Sequence, residues 1–461
     1  MEKNNTAQYE KMTKTPVEKL IPILAVPTII SMLVSAIYNL ADTFFVSQIN
    51  TSASGAVGVV FSLMAVMQAL GFLFGMGAGS NISRLLGNQD LKQASQIAVS
   101  AVVATFLIGC GITVVGLLFL QPIMSVLGAT ETILPYAESY ARYIFFGAPF
   151  ICTSFVMNNI LRAQGKAFFS MIGLGFGSVL NIILDPILIY VCNLGISGAA
   201  IATLFSQLVS FCILLYFFVK GKSLIPLDLK CIGKTVWVYL LIVKTGMPSF
   251  ARQCLASIAN IFLNNAAKDY GDPAVAAMSI VGRICFMLIA VLLGFGQGFQ
   301  PVVGYAYGAG NYKRVRQSFR FSLAVGTVAL SILSIVCLAF APQVITIFRK
   351  DDAAVIEIGT YALRLQCLTL FLQPLVVLCN MLLQSVGKSF EATIVSSARQ
   401  GLFFIPLILL LPRCIGLLGI QIAQPIGDAL AALVSFYYAQ KFFRQLPCSE
   451  EIQKTEEQRE F

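Results

Sequence analysis

From about residue 20 to residue 442 the chain alternates apolar stretches of some twenty residues with short polar breaks. A helix needs roughly 20 predominantly apolar residues to cross a bilayer. The pattern therefore predicts spans near 20–46, 56–80, 93–119, 139–160, 168–191, 197–219, 240–267, 274–300, 320–341, 358–384, 391–411 and 417–440. Almost nothing is left over for a soluble domain. Residues 1–19 are polar and the first apolar stretch is long enough to span, so it reads as a retained helix and not as a cleavable signal.

The pattern repeats itself. Shifting the chain by 221 residues superposes Pro27 on Pro248, Asn39 on Asn260, Gly75 on Gly296, Gly77 on Gly298 and Gly87 on Gly308. A shift of 223 matches Gly87-Asn88 to Gly310-Asn311, and a shift of 222 matches Arg142 to Arg364 and Gly165-Lys166 to Gly387-Lys388. Gly195 and Gly198 return as Gly416 and Gly419. Each half holds an even number of spans, so both enter the membrane from the same side and are parallel repeats about an axis along the membrane normal. The expected architecture is an all-α polytopic membrane protein of twelve helices in two six-helix bundles. Residues 1–219 form the first lobe, 220–239 a cytoplasmic linker, and 240–461 the second lobe with a short polar tail.

Composition agrees, since 57% of the 461 residues are hydrophobic and 11% charged, with mean hydropathy +0.83. A soluble domain that apolar would have too little polar surface to face water. The net charge of +10 raises nucleic acid as a partner, but its placement argues for topology instead. Of the 31 Lys and Arg, 21 fall on the side of the N-terminus, among them Lys11, Arg84, Lys166, Lys313 and Arg320. Four fall on the other side (Lys268, Arg349, Lys350 and Arg413), and six lie within spans or at their edges. By the positive-inside bias both termini are cytoplasmic, and no nucleic-acid partner is needed. There is no histidine, which excludes His-ligated metal sites and His general bases; the 12 cysteines are scattered without a C-x-x-C and read as small packing residues.

Charges inside hydrocarbon mark function by default, and three aspartates lie well within spans: Asp42, Asp185 and Asp428. Asp42, Asp185 and Thr203 each sit about 6–9 Å below the outer surface at a rise of 1.5 Å per residue. Asn181, four residues before Asp185, projects from the same helix face. Two carboxylates, an amide oxygen and a hydroxyl at one depth make an all-oxygen site, able to share a proton or to hold a hard cation such as Na+. Alternatively each aspartate is a structural hydrogen bond between helices. The counterpart of Asp42 is Leu263, and no acid recurs around Pro406, so this chemistry is confined to the first half. Asp428 reaches midplane depth, where it needs a partner: Arg252, or failing that Arg283 or Arg399.

At these residues the sequence resembles the multidrug and toxic compound extrusion (MATE) transporters, particularly the MepA-like branch. The resemblance runs over essentially the whole chain. It is carried by Tyr38-Asn39-Leu40-Ala41-Asp42, by Gly75-Met76-Gly77-Ala78-Gly79 through Ser83-Arg84-Leu85-Leu86-Gly87, and by Asn181-Ile182-Ile183-Leu184-Asp185-Pro186-Ile187-Leu188. It implies cation-coupled export, with H+ or Na+ as the coupling ion, of varied and often cationic amphiphilic drugs. The protein is then no enzyme, has no cofactor, and is expected to be a monomer in the cell membrane with lipids and small organic cations as its partners. The coupling site it implies is Asp42, Asn181, Asp185 and Thr203, with no metal beyond Na+ there. No motif marks the substrate cavity. Another branch places acids in the second lobe, and this chain lacks an acid on span 7. Two other readings are a lipid-linked oligosaccharide flippase, to which Arg252 and Arg283 near mid-membrane would be suited, and a membrane-embedded enzyme, for which no catalytic pattern is found.

Overall fold

The computed structural model describes residues 2–348 and 352–447, and among them no β-strand occurs. Arg349, Lys350, Lys454 and Arg459, counted above for topology, lie outside the described residues. A polar helix α1 (Glu2–Lys14) precedes the first lobe, which comprises α2 (Val17–Ser47), α3 (Thr51–Gly87), α4 (Leu91–Leu118), a short α5 (Leu120–Val126), α6 (Leu134–Ala163), α7 (Ala167–Pro186) and α8 (Gly195–Val219). The second lobe comprises α9 (Val236–Lys268), α10 (Asp272–Gly308), α11 (Tyr312–Ala339), a short α12 (Ala341–Phe348), α13 (Ala353–Leu370), α14 (Gln373–Ser385), α15 (Ser389–Ser397), α16 (Ile405–Ile415) and α17 (Leu417–Gln445).

Eleven of these helical segments are long and apolar enough to cross a membrane. The twelfth span is α9, whose apolar run is diluted by Lys244, Arg252, Gln253, Asn260, Asn264 and Asn265. One span is divided at Phe371 into α13 and α14, and another passes from α15 to α16 through a π-helical turn, Ala398–Phe404. A second π turn, Ile187–Val191, follows Pro186. Pro186 cannot donate the regular helical hydrogen bond, and a widened turn absorbs that loss.

The repeat is visible in local geometry. Asp90 and Asn311 cap α4 and α11 by accepting from the backbone of Gln93 and Arg314, and the preceding Gln89 and Gly310 both have positive φ. The offset thus stays at 221 through this turn, and the match of Gly87-Asn88 to Gly310-Asn311 is a coincidence of composition. The short helices α5 and α12, not expected from the pattern, are equivalent as well.

The two lobes meet over only half of their length. One hydrophobic cluster contains Leu20, Leu24, Phe74 and Ile160 of the first lobe with Leu292, Phe299, Leu378 and Leu382 of the second. All of these lie toward the end of the bundle that carries the N-terminus, here the terminal end. Toward the far end, Val46, Val60, Tyr140 and Phe145 form one cluster and Met278, Ile284, Leu363 and Phe404 another, and neither includes a residue of the other lobe. The bundle is therefore closed at the terminal end and divided at the far end.

Two symmetric helix crossings make the closed half. A β-carbon on Gly77 would come within 2.1 Å of the Ile242 carbonyl oxygen, and one on Gly246 within 1.7 Å of that of Leu73, so α3 and α9 touch backbone to backbone. At the equivalent crossing, Gly298 faces Ala25 and Gly294 faces Ile29, bringing α10 onto α2. Only glycine allows such approach, which is the physical content of the Gly77 and Gly298 equivalence.

Candidate functional site

The far half of the first lobe brings together residues from four helices. Tyr38 and Asp42 are one turn apart on α2, Asn181 and Asp185 one turn apart on α7, Tyr140 projects from α6 and Thr203 from α8. All six are buried, Asp185 completely. The Asn181 side-chain amide donates to the Thr203 hydroxyl at 3.2 Å, and the Tyr140 hydroxyl donates to Asp42 Oδ2 over a long 3.4 Å. Both tyrosines stand close enough to Thr203 and the two carboxylates to form one constellation.

Its bonding is incomplete. Asp42 Oδ1, Asn181 Oδ1 and both carboxylate oxygens of Asp185 are buried without a hydrogen-bond donor, although the Asn181 amide lies beside Asp185. Buried carboxylate oxygens cost several kcal/mol when they are neither paired nor bonded. Four buried oxygens with free lone pairs in one constellation are a donor set for a hard cation or for a proton held between carboxylates. Among the described residues no lysine or arginine pairs with either acid.

Asp428 shows what a satisfied buried carboxylate looks like in the same chain. Its Oδ1 accepts from Arg399 Nε at 2.8 Å and from Gln424 at 2.7 Å, and its Oδ2 accepts from Gln366 at 3.0 Å. The expected first partner, Arg252, is not the one found; the last alternative, Arg399, is. Depth alone favoured Arg252, but depth does not show which helices are neighbours, and Arg399 lies in the π turn that packs on α17. Arg252 makes no ion pair with any described residue and lies within electrostatic reach of Arg399.

Asp42, Asn181, Asp185 and Thr203, singled out from the sequence, are thus neighbours in the fold. Tyr38 and Tyr140 were missed. Tyr38 could have been found, since it precedes Asp42 by one helical turn, whereas Tyr140 carries no local signal and joins the group only through the packing of α6 on the rest of the lobe.

The MatE family model matches this chain twice, over residues 27–187 and 248–410, and the two stretches begin at the proline pair that the repeat superposes. The multidrug export protein MepA of Staphylococcus aureus (strain MRSA252) is 28% identical over 427 residues, 92% of this chain and 93% of that protein. MepA of Staphylococcus saprophyticus is 28% identical over 423 residues with the same coverage. Among solved structures the fold is similar to that of MATE in complex with MaL6, with a TM-score of 0.91, 29% identity and coverage of 95% and 98% of the two chains. It is similar also to an outward-facing multidrug resistance MATE transporter of the MOP superfamily, with a TM-score of 0.90, 29% identity and coverage of 94% and 98%. A third likeness is to a MOP superfamily transporter from Pyrococcus furiosus, described as having a binding pocket of reverse polarity that suggests a different function (TM-score 0.89, 30% identity, coverage of 95% and 98%).

Proposed function

The chain belongs to the MatE family, and from that premise we propose that it is a multidrug efflux transporter, exchanging H+ or Na+ for drugs that include cationic amphiphiles. The observation that carries the reading is the set of donorless oxygens on Asp42, Asn181 and Asp185 in the first lobe. A monovalent cation bound there offsets one of the two buried carboxylate charges and, shared between Asp42 and Asp185, draws α2 toward α7 and α8; its release restores that charge. An equilibrium between two lobe arrangements responds to a ligand only through its unequal affinity for them. A site framed by three helices of one lobe, one of which also packs on the other lobe through Ala25 and Ile29, has the position needed for such a bias. The closed terminal end and divided far end support one of the two arrangements that alternating access requires. With the termini cytoplasmic and the protein in the cell membrane, this arrangement faces outward.

The test is dye export by cells or proteoliposomes with H+ and Na+ gradients imposed separately. Asp42→Asn and Asp185→Asn should each abolish gradient-driven export of a fluorescent organic cation while the protein stays folded and membrane-inserted. Export by either variant at the wild-type rate would remove the proposed site. Export of an anionic lipid-linked sugar in place of the dye would favour the flippase reading.

A further inference from the structure

At the terminal end, where the lobes close on each other, a small cavity of about 20 Å³ is lined by the apolar Met76, Ala163 and Pro301 and by the polar Ser80, Ser83, Asn159, Arg162, Gln297 and Gln300. Arg162 belongs to α6 of the first lobe and is buried, at 5% exposure. Its guanidinium donates to the side-chain oxygen of Gln297 on α10 of the second lobe and, at 2.5 Å, to that of Asn159. Both acceptors are neutral. Among the described residues no aspartate or glutamate lines the cavity, and none lies within ion-pair distance of Arg162. A buried charge without a counter-charge is among the most costly arrangements in a protein interior.

The surroundings deepen the imbalance. Arg84, also at this seam, is held by Asn81 and the Val386 carbonyl, again neutral groups. Gln300 donates to Ser80 and to Gln384 at 3.3 Å each, so the serine hydroxyl accepts on one side and keeps its own proton free for the cavity. Nor does the fold demand a cation: the repeat places neutral Gln384 at the counterpart of Arg162, where it bonds Thr245 and Ser249 of its own lobe.

We propose that this cavity is a binding site for one small monovalent anion of the chloride class, held by Arg162 with the Ser80 hydroxyl between the lobes. The guanidinium has five N–H donors and spends two on amide oxygens, which leaves donors for an anion. A cavity of this size admits one or two water-sized groups and excludes bulky oxyanions. Because Arg162, Ser80 and Asn159 come from the first lobe and Gln297 and Gln300 from the second, the site exists only while the terminal end is shut. Anion binding therefore favours that arrangement.

The experiment uses the full-length wild-type protein in detergent, at constant sodium and ionic strength, with chloride or bromide replacing gluconate. The melting temperature should rise by about 2 °C or more at saturating halide, by linkage to the folded state. Arg162→Gln should lose the rise and Arg162→Lys should keep part of it. Wild-type crystals grown in bromide should give an anomalous peak beside Arg162. A wild-type melting temperature indifferent to halide, a folded Arg162→Gln that responds as the wild type does, or a bromide-free cavity holding water alone would each overturn the proposal. Should Arg162→Gln fail to fold, the bromide crystal decides. None of these readouts depends on drug transport, so failure here leaves the efflux reading standing.

Discussion

Removing the guanidinium of Arg399 gives a stability measurement whose size can be worked from the structure. Asp428 is fully buried, while the side chain of Arg399 keeps 18% exposure. Arg399→Gln leaves the carboxylate with Gln366 and Gln424 as donors but without a counter-charge. Breaking a buried pair from one side typically costs about 3–5 kcal/mol. The two amides remain and the acid can take up a proton, so the low end applies, about 3 kcal/mol. Asp428→Asn leaves the cation unpaired instead, but Arg399 is partly accessible and can hold water, which lowers the expected cost to about 2 kcal/mol. The double variant leaves neutral groups on both sides and should lose only about 1–1.5 kcal/mol, so about 3.5–4 kcal/mol of the summed single losses is shared between them. Thermal unfolding of the purified proteins reads this as single variants that melt several degrees low and a double variant that melts near the wild type. Arg252→Gln, which removes a like charge near Arg399, should cost no stability. Additive losses would refute the pairing. A well-folded Asp428→Asn that binds dye but no longer couples its export to an ion gradient would show that Asp428 belongs to the coupling machinery.

Three further outcomes are expected. Tyr140→Phe removes only a 3.4 Å hydrogen bond to Asp42, so thermal unfolding should show a loss of about 1 kcal/mol or less; a larger loss would mean that this tyrosine supports the lobe. Gly246→Ala drives a methyl into the Leu73 carbonyl and should cost about 1–3 kcal/mol, whereas Gly175→Ala, with nothing within 4 Å, should be neutral or gain up to about 1 kcal/mol in the same unfolding assay. In a background lacking reactive cysteines, a cysteine at Asp352 should react with an impermeant reagent added outside cells and one at Lys313 should not, and the reverse labelling would invert the assigned orientation.

Period and length carry the spans because a bilayer fixes how many apolar residues a helix needs. The repeat carries the lobes because each half must close the same crossing, at Gly77 in one and Gly298 in the other. What stayed hidden depends on features with no periodic signature. The short helices α5 and α12 are too brief to stand out from the spans they join, and α1 is polar, so it reads as a tail. Depth matches Asp428 to Arg252 but does not reveal which helices face each other; Arg399 sits in the π turn Ala398–Phe404, and that turn packs on α17. In the candidate site, i to i+4 spacing exposed Asn181 with Asp185, but Tyr140 and Arg162 acquire their surroundings only when α6 packs against α3 and α8 in its own lobe and against α10 of the other.

The repeat also bears on why the proposed coupling site is confined to one lobe. Thr203 has Gln424 as its counterpart, and Gln424 donates to Asp428. The same corner of both lobes is therefore polar, but with opposite bonding: the first leaves carboxylate oxygens open, and the second closes its acid with a guanidinium and two amides. A closed salt bridge has no vacancy for an ion, and the position matching Asp42 is Leu263, packed against the second lobe's apolar cluster. Leu263→Asp consequently should not create a second coupling site. The new carboxylate would enter apolar surroundings, with Pro406 standing where the partner acid would have to be, and should cost about 3 kcal/mol or more unless it stays protonated. Melting temperature and the number of ions exchanged per drug molecule test this together. A lower melting point with an unchanged ion ratio is the expected result, and a higher ion ratio in a stable protein would show that the second lobe had kept a latent site.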